Sequence, residues 1–255
     1  MSIRRWAENF SRGVILRRRL PSRFGRLPIY VTPEAGLRYW GRMSRVDSVL
    51  YSMAEELVRN GSVVWDVGAN VGLFSFCAAA LAGPTGFVLS IEPDHWLAHL
   101  ITQTSHNLPR GQAATVDVLC ASVSDSNRIS NLEIAHRARA SNHLTQARGS
   151  SQAAGTRATQ ASVTVTLDSL LNYFPPPTVL KIDVETHEEH VLRGAARLLS
   201  EIRPSIWCEV SQENSNAVTQ ILQTAGYKLL GAANQPHPPI EKAWFHTLAI
   251  PVQSQ

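Results

Sequence analysis

The stretch from Val63 to Glu92 constrains this chain most. An apolar run of strand length, Val63-Val64-Trp65-Asp66-Val67, leads into Gly68-Ala69-Asn70-Val71-Gly72. The Ala-rich segment Leu73–Leu81 follows with helix length, and Phe87–Ile91 is a second apolar run ending at Glu92-Pro93. Strand, glycine loop, helix and strand in that order make a βαβ unit, which needs parallel strands and a helix on the sheet face. No charged residue lies between Val67 and Ile91, a run long enough to span a bilayer. Gly83-Pro84-Thr85-Gly86 divides it by turn chemistry into two shorter buried elements, so a soluble chain is expected.

The rest of the chain repeats the alternation. Ser48–Arg59 carries Val49, Leu50, Met53, Leu57 and Val58 on one helical face. Strands are expected at Thr115–Leu119, Val163–Thr166, Val179–Val184, Ser205–Val210, Tyr227–Leu230 and Phe245–Ile250, and helices at Trp96–His106, Leu167–Tyr173, Glu188–Glu201 and Ala217–Ala225. With 44% hydrophobic and 17% charged residues the chain can bury a sizeable core. Cys77, Cys120 and Cys208 have no CxxC spacing, which excludes a zinc module or disulfide scaffold and fits a reducing, cytoplasmic compartment.

The glycine loop reads DxGxNxG over Asp66–Gly72, not the GxGxxG of a dinucleotide site. Gly68 and Gly72 bracket Asn70 and allow a sharp turn with close approach to the backbone. Asp66 places an anion where a pyrophosphate would otherwise lie, which suits a cationic ligand such as S-adenosylmethionine. Glu92 ends the next strand, 26 residues on, where an acid can accept ribose hydroxyls.

These residues resemble the FkbM family of S-adenosylmethionine-dependent methyltransferases. The resemblance is carried by WDVGANVGLFSF (65–76), IEPD (91–94), VTLDSLL (165–171) and KIDVETHEEHVLRGA (181–195), and covers about residues 60–250. It implies an α/β fold: the class I methyltransferase (Rossmann-like), mostly parallel seven-stranded sheet, six strands parallel and one antiparallel, with helices on both faces. It also implies O-methylation of a hydroxyl on a sugar, glycan or natural-product acceptor. In this fold the stretch Ala121–Asp125 borders the adenine, which makes Asp125 a candidate partner of its amino group; an ordinary turn aspartate is the plain alternative. The family continues KIDVEG, whereas this chain has Thr186 and His187 after Glu185.

The turn after the fourth strand holds the candidate chemistry. Asp183 ends a central strand, where open α/β sheets bind ligands. Glu185 and His187 follow at the rim. His187 or Asp183 can serve as the base for an acceptor hydroxyl, or Asp183 can orient it. Glu188, Glu189 and His190 can equally be helix N-terminal residues favoured by the dipole. The Asp, Glu and His cluster offers ligands that Mg²⁺ uses, without fixing a complete set.

Charge is uneven. Residues 1–45 carry eleven Arg against Glu8 and Glu34, while the remaining residues carry 13 basic and 18 acidic groups. The chain therefore reads as a basic arm and helix over 1–59 and a methyltransferase domain over 60–255, with a polar insertion at 126–161 as a candidate lid bearing Asn142 and His143. The arm is expected to be separable from a folded body, and suggests contact with an anionic membrane. A nucleic-acid methyltransferase is the alternative it motivates, disfavoured by IDVE where an Asn/Asp-Pro-Pro-Tyr motif would stand. A cofactor-binding pseudoenzyme is a further alternative, motivated by Thr186. Nothing indicates the oligomeric state.

Overall fold

A computed structural model of the chain describes residues 10–135, 143–144, 156–233 and 235–252. It begins with a hairpin of β1 (Leu16–Arg19) and β2 (Pro28–Val31), paired antiparallel. Helix α1 (Ser48–Leu57) follows, N-capped by the Asp47 side chain. Next come β3 (Val63–Val67), α2 (Leu73–Ala82), β4 (Phe87–Ile91), α3 (His95–His106) and β5 (Thr115–Leu119). The uncharged run thus folds as strand end, helix and strand. Among the described residues no helix is long and apolar enough to cross a membrane.

The described parts of the insertion form strands. β6 (Ser122–Val123), β7 (Arg128–Ala135), β8 (His143–Leu144) and β9 (Thr156–Val165) form a second sheet in the order β6-β9-β7-β8. Asn142 lies outside the described residues, and His143 pairs with Glu133 in β8. The short helix α4 (Leu167–Leu170), β10 (Val179–Ile182), α5 (Glu188–Arg193), β11 (Ser205–Cys208), α6 (Ser215–Thr224), β12 (Tyr227–Gly231) and β13 (Thr247–Pro251) complete the chain. The helix expected over Glu188–Glu201 is interrupted at Gly194 and resumes as a π-helical turn over Leu198–Ile202. The backbone at Gly194 is pressed against Ser124, whose carbonyl oxygen would lie 2.2 Å from an added Cβ.

The main sheet has the order β12-β13-β11-β10-β3-β4-β5. β11, β10, β3, β4 and β5 are mutually parallel, and β13 runs antiparallel to both neighbours. This is the strand arrangement that the resemblance implies, six strands parallel and one antiparallel. Strand alternation feeds two cores. Val64, Val88, Val179 and Trp207 face α1, α2 and α3 on one side. Trp65, Leu89, Leu180 and Ile206 face α5 and α6 on the other.

The N-terminal segment corrects an expectation. It is not an arm apart from the body. Leu20, Phe24, Leu27, Ile29, Val31, Ala35, Tyr39 and Met43 are all buried in the first core. The Tyr30 amide donates to Thr104 Oγ1 in α3 at 2.9 Å, and the Tyr51 hydroxyl donates to the Met43 carbonyl at 2.6 Å. Each buried apolar side chain is worth roughly 1.5–3 kcal/mol, so removing this segment is expected to destabilise the body. Three prolines and the density of arginine mask an apolar set that repeats at neither helical nor strand period.

Candidate active site

The candidate site lies at the carboxyl edge of the parallel strands, where β3, β4, β10 and β11 end. Gly68 turns the chain with φ +77°, and an added Cβ would fall 1.8 Å from the Asp183 carbonyl oxygen. Only glycine permits this approach of the β3 and β10 loops. Gly72 closes the loop at φ +79° and precedes α2. The Gly68 and Ala69 amides both donate to the Ile91 carbonyl, at 2.9 and 3.0 Å. Asn70 adopts φ +56° and donates its amide to Glu92 Oε2 at 2.8 Å.

Glu92 is buried and oriented. Its second oxygen accepts from the Asp94 amide at 2.9 Å. Burial, with Asp94 adding to it, raises its pKa to about 8 against the pull of the two amides. Each oxygen therefore takes one backbone donor and keeps a further lone pair for a ligand hydroxyl. Asn70 Oδ1 is buried without a hydrogen-bond partner on the same loop. Gln160 of β9 braces the neighbouring turn, donating to the Pro93 carbonyl at 2.6 Å and accepting from the His95 amide at 3.3 Å. The second sheet thus borders the Glu92 loop.

Asp66 behaves differently from expectation. It is fully buried. Its Oδ1 is 3.1 Å from Lys181 Nζ, and its Oδ2 accepts from Ser75 Oγ at 2.6 Å. Ser90 Oγ donates to Ser75 Oγ at 2.7 Å in turn. A carboxylate held this way anchors β3 to β10. Lys181 Nζ also lies 3.4 Å from Asp183 Oδ2 and donates to the Gly68 carbonyl at 3.4 Å. Burial works against its charge, but Asp66, Asp183 and Glu209 more than compensate and raise its pKa.

Asp183 follows β10 with its side chain 34% exposed, so it can meet a ligand. Glu185 stands beside it. Burial, then Asp183 and Glu188, raises the Glu185 pKa to about 8. Glu209, one residue beyond β11, was not anticipated; burial and Asp183 raise it likewise to about 8. Its place at a parallel strand end, matching that of Asp183, was a readable signal. His246 was also missed. Cys208 pairs with Thr247, so antiparallel β13 starts beside Glu209 at this edge. Burial lowers the His246 pKa against Asp47 and Asp183. Arg38, paired with Asp47 at 3.1 Å, is close enough to feel Asp183. No sequence signal links residues 38 and 183.

His187 and Asp125 also depart from expectation. His187 is buried, its ring stacked on His190 at 4.4 Å and its Nε2 2.9 Å from Ser124 Oγ. Burial, then His190, lowers its pKa to about 4. It is not a rim residue and gives no titration near 6.5. Asp125 pairs with His190 at 2.8 Å and Arg128 at 3.1 Å. The His190 hydrogen bond, against desolvation and with help from Ser126 and Arg128, holds the Asp125 carboxyl well below its ordinary pKa. Its carboxylate is committed to protein partners rather than offered to an adenine. Glu188 is buried and accepts from the Thr186 amide, Ser211 Oγ and Asn214 Nδ2 at 2.9, 2.9 and 2.8 Å. It clamps the turn instead of facing the crevice. Among the described residues no group of three or more His, Cys, Asp or Glu is arranged to hold a metal ion.

The clamp holds two left-handed residues, Glu185 at φ +45° and Thr186 at φ +68°. A β-branched residue in this region is strained. Thr186→Gly is expected to raise stability by about 1 kcal/mol, the relief exceeding the entropic cost of glycine. A urea titration checks it, and a lower midpoint would show that Thr186 is not strained.

The family model described as the methyltransferase FkbM domain matches residues 66–229. No curated protein matches the chain. Among solved structures it is similar to the methyltransferase FkbM from Methylobacillus flagellatus KT, with 16% identity and a TM-score of 0.48, over 78% of this chain and 50% of that one. The chain thus spans half the length of that protein. It is also similar to an S-adenosylmethionine-dependent O-methyltransferase from Thermotoga maritima, with 11% identity and a TM-score of 0.45, over 81% and 66% of the two chains. The fibrillarin of Aeropyrum pernix, solved with natively bound S-adenosyl-L-methionine, shows 11% identity and a TM-score of 0.41, over 75% and 66%.

Proposed function

Because this chain belongs to the FkbM family of S-adenosylmethionine-dependent methyltransferases, we propose that it methylates a hydroxyl of a sugar, glycan or natural-product acceptor. The observation that carries this reading is the set of acids at one sheet edge. Glu92 stands on the cofactor side, and Asp183, Glu185 and Glu209 gather at the ends of β10 and β11. Acids there suit neutral, hydroxyl-bearing groups and disfavour a phosphate backbone at the reacting position.

The residues present fit the cofactor. Glu92 would hold the ribose hydroxyls, and the Gly68–Gly72 loop with its unpartnered Asn70 Oδ1 would line the site. The cofactor supplies an electrophilic methyl group. Asp183 orients the acceptor hydroxyl and takes its proton as the oxygen attacks. Glu185 and Glu209, with pKa values of about 8, hold protons near neutrality.

Calorimetry tests the cofactor half. Above pH 8, where the carboxyl is ionised, Glu92→Gln is expected to weaken S-adenosylmethionine binding by roughly 1–3 kcal/mol, the cost of losing a charged acceptor. The sign with pH follows from the raised pKa. Only ionised Glu92 accepts from both hydroxyls, so wild-type affinity should rise as pH increases through about 8 and level off above it. The Gln variant should lack this rise. Unchanged affinity in the variant would remove Glu92 from the cofactor site. Transfer of labelled methyl to glycan and polyketide acceptors tests the acceptor half.

A further inference from the structure

A cavity of about 560 Å³ opens between the β1–β2 hairpin and the segment Trp40–Ser44. Arg18, Arg19, Arg26 and Arg42 all line it, and no acidic residue does. The pairing of these arginines is unusual for so many charges. Arg18 donates to the Trp40 carbonyl at 3.4 Å and Arg19 to the Arg26 carbonyl at 3.2 Å. Among the described residues none of the four forms an ion pair with a carboxylate. The Arg18 Nε is buried with no acceptor at all. A buried donor left unmade costs free energy that an incoming oxygen would recover. Ser22 and Ser44 line the same space and add hydroxyl donors, and Trp40, 41% exposed, borders it with an apolar face.

We propose that this cavity binds a phosphate group, carried either by a lipid headgroup or by a soluble phosphorylated molecule. Four guanidiniums without an anion repel one another, and a ligand of charge −2 or more cancels that repulsion. The planar fork of arginine matches phosphate oxygens in pairs, with stronger bonds than neutral donors make. The volume accommodates a phosphorylated headgroup or a pyrophosphate. The site is separate from the acids at the sheet edge, although the segment that lines it continues from Arg38. Its occupancy does not depend on which hydroxyl is methylated.

The test uses the full chain at low salt. Inorganic pyrophosphate is titrated calorimetrically, and vesicles of phosphatidylcholine with and without phosphatidylglycerol are used for co-sedimentation. The Arg19→Gln/Arg42→Gln variant removes two exposed charges from the cavity. Arg110→Gln/Lys242→Gln removes two exposed charges elsewhere. The cavity variant is expected to lose about tenfold or more in affinity, as for two charge-assisted contacts, while the control variant binds like wild type. Pyrophosphate binding with this pattern identifies a soluble source; phosphatidylglycerol-dependent sedimentation with this pattern identifies a headgroup. No binding of either probe overturns the site, and so does equal loss in both variants. S-adenosylmethionine affinity, measured in parallel, is expected to be unchanged in all variants. Failure of the phosphate site therefore reads separately from failure of methyl transfer.

Discussion

Lys181→Met is expected to lower stability by about 3–5 kcal/mol, the cost of leaving a buried charge without its partner. Asp66 is fully buried, and Lys181 Nζ at 3.1 Å is the cation that compensates it. Ser75 Oγ alone cannot replace that charge. Asp66→Leu should cost somewhat less, because Lys181 keeps Asp183 at 3.4 Å. The double variant, Asp66→Leu/Lys181→Met, should be more stable than the sum of the single changes, since neither charge is then left alone. Urea unfolding of the three variants measures this coupling. Additive losses, or a loss below about 1 kcal/mol in Lys181→Met, would show that the pair is not the anchor described.

Asp183→Asn is expected to reduce turnover about 10²-fold or more, the usual contribution of a general base. Cofactor affinity should stay close to wild type, because Glu92 and the glycine loop are untouched. The pH profile separates the neighbouring acids. With Glu185 as base the rate should climb as pH rises through about 8, where that carboxyl ionises, and Glu185→Gln should flatten the climb. No limb near 6.5 is expected from His187, whose pKa lies at about 4. Normal turnover in Asp183→Asn would move the chemistry to Glu185, Glu209 or His246, which the same assays can test in turn.

Much of the site was legible because its parts are local. Gly68, Asn70 and Gly72 stand in one loop, and their spacing already requires a sharp turn after a strand. Glu92 and Asp183 end apolar runs, and strand ends are where such sheets bind ligands. Thr186 in place of the family glycine marked a backbone position that the structure finds at φ +68°. The readings that changed concern partners distant in sequence. Asp66 looks like a ligand acid until Lys181, on a strand more than 100 residues later, is placed against it. His187 looks like a rim base until Ser124 and His190 bury it. Asp125 looks free to meet a base until His190 and Arg128 take both its oxygens.

The sequence by itself therefore determined the α/β class, the strand and helix succession from Ser48 to Leu119 and the loop that turns at Gly68, because each rests on hydrophobic period and backbone conformation within a few residues. Only the tertiary structure decided which charges neutralise each other and which remain for chemistry. It folded the apolar side chains between Leu20 and Met43 into the core, brought Glu209 and His246 to the edge beside Asp183, and left four arginines around one cavity without a carboxylate. The physical reason is that burial and charge pairing depend on distances in space, and a parallel sheet brings together strand ends that are far apart along the chain.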